Sequence, residues 1–137
     1  MVDNKIFYIS QQEAENKIKD FNARENIHVA VVDGHNAKTW KDYLSQIETL
    51  YQFPTTNDNF DGYADWLQDL SWLEKEAYAL FIWDYDEFMS MDQNSKKIVM
   101  SIFLDQILPW WQHDVELYCV GGKSKEFNIY LVNINQK

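Results

Sequence analysis

Carboxylates and aromatic rings crowd the segment T-T-N-D-N-F-D-G-Y-A-D-W-L-Q-D-L-S-W, which runs from Thr55 to Trp72. Asp61, Asp65 and Asp69 recur every four residues, a spacing that stacks them along one flank of a helix, with Asp58 at the edge of their sector. Carboxylates in that arrangement repel by roughly 0.2–0.5 kcal/mol per pair, and no lysine or arginine is interleaved to relieve them. Gly62 adds a further helix penalty of about 1 kcal/mol relative to alanine. Such a helix is not tuned for its own stability. Two kinds of chemistry could use it: acid–base work by paired carboxylates, or presentation of negative charge to a cationic surface. Acid–base work needs a cleft or a histidine partner, because a fully hydrated carboxylate is a poor general acid at neutral pH. Neither is evident beside Asp61 and Asp65, and the chain has no Gly-rich phosphate loop, nucleophile elbow or H-E-x-x-H. Presentation of charge needs only exposure. An acidic helix face is also what a merely solvated surface looks like, but the expectation is binding and not enzymatic activity.

Metals fit the same residues poorly. Asn57-x-Asn59-x-Asp61-Gly62 imitates the opening of a calcium loop, yet asparagine stands where the first aspartate belongs, and Gln68 stands where a bidentate glutamate belongs. His28, His35, His113 and Cys119 have no zinc-ligand spacing. No metal and no cofactor is expected.

The elements that position the acidic segment follow from periodicity. Phe60, Ala64, Leu67 and Leu70 share the inner face of its helix, with Tyr63 in the same arc, and the helix is expected to end near Ser71. Tyr63 and Trp66 flank the acidic sector as candidate aromatic anchors, although Trp66 fits a core position equally well. Before this segment, I-H-V-A-V-V predicts a buried strand ended by Asp33-Gly34. Thr39 and Asp42 then cap a helix carrying Trp40, Tyr43, Leu44, Ile47 and Leu50, stopped by Phe53-Pro54. After it, A-Y-A-L-F-I-W predicts a second buried strand, ending in the acidic loop Asp84–Glu87. Asn94 or Ser95 would cap a helix reaching about Pro109. Trp110-Trp111 then either covers the sheet or forms a second patch. Glu116–Val120 and Phe127–Val132 read as two strands of a hairpin around Gly121-Gly122, with Cys119 inside the first. At the start, Lys5–Ile9 predicts a strand, and Ser10 with Glu13 caps a polar helix over about Gln11–Phe21. Residues 1–25 thus read as a small β-α addition on one edge.

Charge narrows the partner. The 137 residues carry 22 acidic against 12 basic side chains, a formal charge of −10, and Arg24 is the only arginine. Nucleic acid and anionic membrane surfaces would be repelled, whereas a basic protein would be steered in. The opening M-V-D-N-K-I-F-Y-I-S lacks the features of a signal peptide, and the longest apolar run, Ala77–Trp83, is too short to span a bilayer. A single cysteine excludes an intrachain disulfide. A cytoplasmic protein is expected.

Over about residues 28–133 the chain resembles the barstar family, the intracellular inhibitors of barnase-type ribonucleases. The resemblance is carried in order by V-A-V-V-D-G, the helix with its aromatic and leucine face, N-F-D-G-Y-A-D-W-L beside the family's Asn-Leu-Asp-x-Leu-x-Asp-x-Leu, the strand ending in Trp83, and the helix with Phe103 and Asp105. It implies a barstar-like α/β fold: a small, mainly parallel β-sheet covered by helices, with residues 1–26 as an N-terminal β-α extension and 27–137 as the barstar-like domain of one globular unit. It implies a bacterial immunity protein of a toxin–antitoxin pair that plugs the active site of a basic, cytotoxic ribonuclease, one to one. Asp61 and Asp65 match the family's two inhibitory aspartates, Asp65 being the one that takes the place of an RNA phosphate. Asn59 matches the loop asparagine, and Asp105 matches an acidic contact on the later helix, one methylene shorter. The partner-binding set is therefore Asn59, Asp61, Tyr63, Asp65, Trp66, Asp69 and Asp105. Thr55, Thr56 and Asn57 replace the family's tyrosines and glycine, and Ala64 replaces its tryptophan, so a different nuclease or another cationic toxin fits at least as well as barnase. An acidic regulatory module of the same fold, with a partner that is not a toxin, is the alternative.

Overall fold

The apolar, β-branched runs form strands because a sheet buried on both faces has no place for alternating polar residues. The computed structural model describes residues 2–56 and 58–134. Its strands are β1 (Ile6–Ser10), β2 (Ile27–Asp33), β3 (Ala77–Trp83) and β4 (Glu126–Asn133), in the order β1-β4-β3-β2. Every pairing among them is parallel, so the α/β expectation holds with a sheet that is wholly parallel among the described residues. The helices are α1 (Gln11–Asn22), α2 (Trp40–Leu50), α3 (Phe60–Leu67), α4 (Gln93–Ile102) and α5 (Val115–Tyr118).

The register places Phe7, Tyr130, Phe81 and Val31 in one row across all four strands. The three rings stack: Phe7 on Tyr130 at 5.2 Å and 14°, Tyr130 on Phe81 at 4.6 Å and 16°. Phe21 of α1 leans on both Phe81 and Tyr130. Helix α1 thereby covers this face of the sheet, enclosing Ile9, Ala14, Ala79, Phe81, Tyr130 and Val132. The sequence-based expectation of a small edge addition is half of what residues 6–22 do. Strand β1 is an edge strand, but α1 builds a second core.

The opposite face carries the larger core, over which α2, α3 and the α4–α5 run pack. Helix α2 starts as its spacing predicts, with the Asp42 amide donating to Thr39 Oγ1 at 3.3 Å. Asp92, and not Asn94 or Ser95, caps α4 by accepting from the Ser95 amide. Its carboxylate also accepts from the Trp40 amide at 3.1 Å, tying the start of α2 to the start of α4. That bond to Trp40 is the main cause holding the Asp92 carboxyl below its ordinary range. Tyr43 of α2 and Tyr63 of α3 meet through their hydroxyls at 2.5 Å, both side chains fully buried. Burial raises the pKa of both phenols, so the pair stays protonated.

Pro109 does not end the fourth helix. The chain widens into π turns at Phe103–Ile107 and Trp110–Asp114, on either side of the proline, and continues into α5. A proline removes one amide donor, and the wider hydrogen-bonding pattern around it accommodates the loss. Glu116–Val120 is consequently not a strand, and no hairpin precedes β4. Trp111 and Val115, one turn apart, are both buried and hold the segment helical. Cys119, just past α5, is extended, and it is exposed where a buried strand residue was expected. The two glycines make the turn: Gly121 has φ +75°, and a Cβ on Gly122 would collide with the Val115 carbonyl.

His28 lies on β2, its Nε2 donating to the Leu50 carbonyl at 2.9 Å and its ring 5.1 Å from that of Tyr51. Burial, the largest cause, lowers its pKa below the ordinary 6.5, while the Leu50 carbonyl pulls the other way.

Tyr43→Phe or Tyr63→Phe, made singly, leaves the partner hydroxyl buried and unbonded and should cost about 1–3 kcal/mol in urea denaturation. The double variant should cost clearly less than the sum. Because unfolded His28 binds a proton that folded His28 resists, its contribution to stability is complete above pH of about 6.5 and is lost as pH falls through the lowered folded value. In His28→Gln the fall of the urea midpoint from about pH 7 to about pH 5 should shrink. Deleting residues 1–26 uncovers the Phe81–Tyr130 face and the edge of β4. The truncated chain should associate in size-exclusion chromatography and unfold at lower temperature; a monomer of unchanged stability would show α1 to be dispensable.

Candidate protein-binding site

Helix α3 has eight residues, too few to persist alone, so each end needs a partner. At its start, Asn59 is the N-cap and accepts from the Gly62 amide through Oδ1 at 2.7 Å. Trp40 braces the same end: its indole nitrogen donates to the Asp58 carbonyl at 3.1 Å, and its ring lies 4.3 Å from that of Phe60. At the far end, Trp111 donates through Nε1 to the Leu67 carbonyl at 2.8 Å. Tyr63, Ala64 and Leu67 fill the inner face. The chain then turns through Leu70, which is fully buried in the left-handed region at φ +54°.

This early stop changes the acidic row. The helix ends at Leu67 and not near Ser71, so Asp69 leaves the line of Asp61 and Asp65. Its Oδ1 instead accepts from the Ser71 amide at 3.2 Å. The helix closes where Leu70 takes the left-handed conformation with its amide donating to the Trp66 carbonyl, and Trp111 supplies the Leu67 carbonyl with the donor that a further turn would have given.

Asp61 and Asp65 remain, both exposed and one helical turn apart. Neither carboxylate has a hydrogen-bond or ion-pair partner among the described residues. Asp61 gains from the positive end of the helix, but Asp65 does not. Two unpaired carboxylates on a braced helix can receive a guanidinium or an ammonium through charge-assisted hydrogen bonds.

The other expected contacts divide. Tyr63 is fully buried and has no surface to offer a partner; the arc it shares with Ala64 and Leu67 is the core side of α3. Trp66 is half-buried, edge-on to Trp72 at 5.3 Å and 6.5 Å from Phe53, so it is a shelf packed on the core with one exposed rim. Trp72 is itself fixed by donating to the Tyr51 carbonyl at 2.8 Å. Asn59 is exposed while serving as the cap. Asp105 is exposed on the first π turn, where it accepts from Ser101 Oγ at 3.1 Å, and among the described residues no hydrogen bond joins it to α3. Of the positions where family aromatics are missing, Thr55 and Thr56 are exposed, Ala64 is buried, and Asn57 lies outside the described residues. Trp40 and Trp111 place the helix without being part of the acidic pattern. Their roles rest on contacts 18 and 44 residues apart in the chain, which no local spacing encodes.

Among the described residues no group of three or more His, Cys, Asp or Glu side chains could hold a metal ion. Among them, too, no helix is long and apolar enough to cross a membrane.

No curated protein matches the chain. Its fold is similar to part of the ORC2 protein of Aeropyrum pernix, whose structure was solved as ADPNP–ADP complexes, with a TM-score of 0.56 and 14% identity. The likeness covers 98% of this chain but 35% of that one, and at this identity it concerns the fold alone. The family described as Barstar (barnase inhibitor) matches residues 27–121, well over half of the chain, from β2 through α3 to the turn after α5. The chain belongs to the barstar family.

Proposed function

We propose that this protein is an inhibitor of a basic cytotoxic ribonuclease, acting as a cytoplasmic immunity protein that occludes the nuclease active site one to one. The observation that carries the reading is the pair Asp61 and Asp65: exposed, unpaired within the described chain, and fixed on a helix braced at both ends. A ribonuclease must hold an RNA phosphate with arginine, lysine and histidine, and a rigid carboxylate satisfies the same donors. Asp65 stands in for the phosphate, Asp61 takes a second cation, and the rim of Trp66 supplies apolar contact. Asn59 serves first by fixing the helix start, and Asp69 and Asp105 extend the negative field. Family membership supports a nuclease as the partner. Exposed threonines at 55 and 56 and a buried Ala64 leave the family's aromatic contacts unfilled, which favours a nuclease other than barnase or another cationic toxin. The net charge of −10 speeds encounter with any such partner.

Affinity capture from the source organism's lysate and secreted fraction, with wild type beside Asp65→Ala, identifies the partner. The wild type should retain a basic toxin domain and suppress its nuclease activity. Asp65→Ala should bind it more weakly by about 2–8 kcal/mol, a scale borrowed from interfaces that include the barnase–barstar pair. Association should slow as salt rises. Equal binding by both proteins would place the interface away from α3, and a partner with no toxic or nuclease activity would make the protein a regulator.

A further inference from the structure

A second acidic surface lies at the C-terminal ends of the strands. A cavity of about 320 Å³ opens between the β1–α1 junction and the loop that follows β3. Two tyrosine rings form a corner in it, Tyr8 and Tyr85, with centroids 6.2 Å apart and planes at 77°. Glu13, in the first turn of α1, and Asp86 supply carboxylates, and no lysine or arginine lines the cavity. Tyr8 is 75% exposed, and Glu13 and Asp86 are exposed as well.

The surroundings are crowded with acids. Asp84, just before Tyr85, is 8% exposed, and its Oδ1 is buried without a hydrogen-bond partner. Burial first, then Glu87 and Asp86, push the Asp84 carboxyl above its ordinary range, with His35 acting against them. The positive end of α1 opposes a cation, but it carries only about half a charge. Ser10 Oγ already accepts from the Glu13 amide there at 3.2 Å. Glu13 Oε1 accepts from Ser10 Oγ at 3.3 Å and Asp86 shares the field of Lys96, and the two carboxylates still exceed the half charge of the helix end. On its α4 side the Tyr85 ring lies 4.3 Å from the Lys96 ammonium, which also interacts with Asp86, and Phe88 stacks on the same ring at 6.0 Å, so the cavity offers a cation the Tyr8 side of the corner.

We propose that this corner is a binding site for an alkylammonium group, held by the Tyr8 and Tyr85 rings and the Glu13 and Asp86 carboxylates. Carboxylates supply the charge complement, and aromatic faces select a cation with apolar methylene or methyl groups over a hydrated sodium ion. A lysine side chain of a protein and a free quaternary ammonium share this chemistry. Only Tyr85 and Asp86 fall within the residues matched by the family, so the site is an addition made by β1 and α1. It is separate from α3 and does not depend on the inhibitor reading.

The test uses the intact protein and no toxin. Tyrosine ring resonances are followed by NMR during titration with tetramethylammonium chloride, then with N-acetyl-lysine methylamide, each against sodium chloride at equal ionic strength. Saturable shifts at Tyr8 and Tyr85 are expected. They should weaken about two- to fivefold in Tyr8→Leu, the range of an exposed cation–π contact. Glu13→Gln should also weaken them, and it preserves the helix cap, because glutamine serves at that position. Asp65→Ala should leave them unchanged. A tighter response to the lysine derivative assigns the site to a protein side chain, and a tighter response to tetramethylammonium assigns it to a free cation. Shifts no larger than those in sodium chloride, or unaltered in both Tyr8→Leu and Glu13→Gln, overturn the proposal.

Discussion

A helix of eight residues has almost no stability of its own in water, so the acidic surface of α3 exists because other elements hold it. The buried contact of Tyr43 with Tyr63 is the central restraint. It joins α3 to α2 in the middle of the larger core, where two hydroxyls satisfy one another out of reach of water. Trp40 and Trp111 then fix the two ends, their indole N–H groups donating to the Asp58 carbonyl just before the helix and to the Leu67 carbonyl, which the end of the helix leaves without an amide partner. Repulsion between Asp61 and Asp65 is small against these terms. The protein can therefore keep two like charges side by side on an exposed face.

Local patterns carried much of this. The apolar runs at β2 and β3, the Thr39 cap, the Ser10–Glu13 cap and the inner face of α3 were all legible, because each is set by residues within one or two turns of each other. Order and spacing of these elements made the family legible too, and residues 27–121 match it. The failures share a cause. Pro109 and the following V-E-L-Y-C-V have local preferences for a stop and a strand, but burial of Trp111 and Val115 overrides them. Periodicity counted Asp69 into the helix, yet the chain turns left-handed at Leu70 and the Leu67 carbonyl takes its bond from Trp111, 44 residues away. Tyr63 sits beside the acids in sequence, and only the arc it shares with Ala64 and Leu67 reveals that it faces inward.

The two acidic surfaces differ in how rigidly they are built. Asp61 and Asp65 project from a helix whose inner side chains are fully or almost fully buried. Glu13 and Asp86 belong to a helix start and a loop, where Asp84 and Met89 occupy the left-handed region at φ +53° and +51°. The first arrangement suits a pre-formed match to a large partner, in which little ordering remains to be done on contact. The second suits a small group that several nearby side chains can adjust around.

The strand order has a bearing on how the chain reaches this state. Strand β1 leaves synthesis before the other strands, but its sheet neighbour among the described residues is β4, and the Lys5–Asn128 contact spans 123 residues. Until β4 emerges, β1 has nothing to pair with, and Phe81 lacks the Tyr130 ring that stacks on it. A nascent chain cannot assemble this sheet progressively from its N-terminus; the ring ladder forms only when both ends meet. Such topologies fold slowly, because a long loop must close before the contacts that reward it appear. Newly made copies thus pass through an interval in which β1 and the unpaired flank of β3 are open to chaperones, to proteases and to one another.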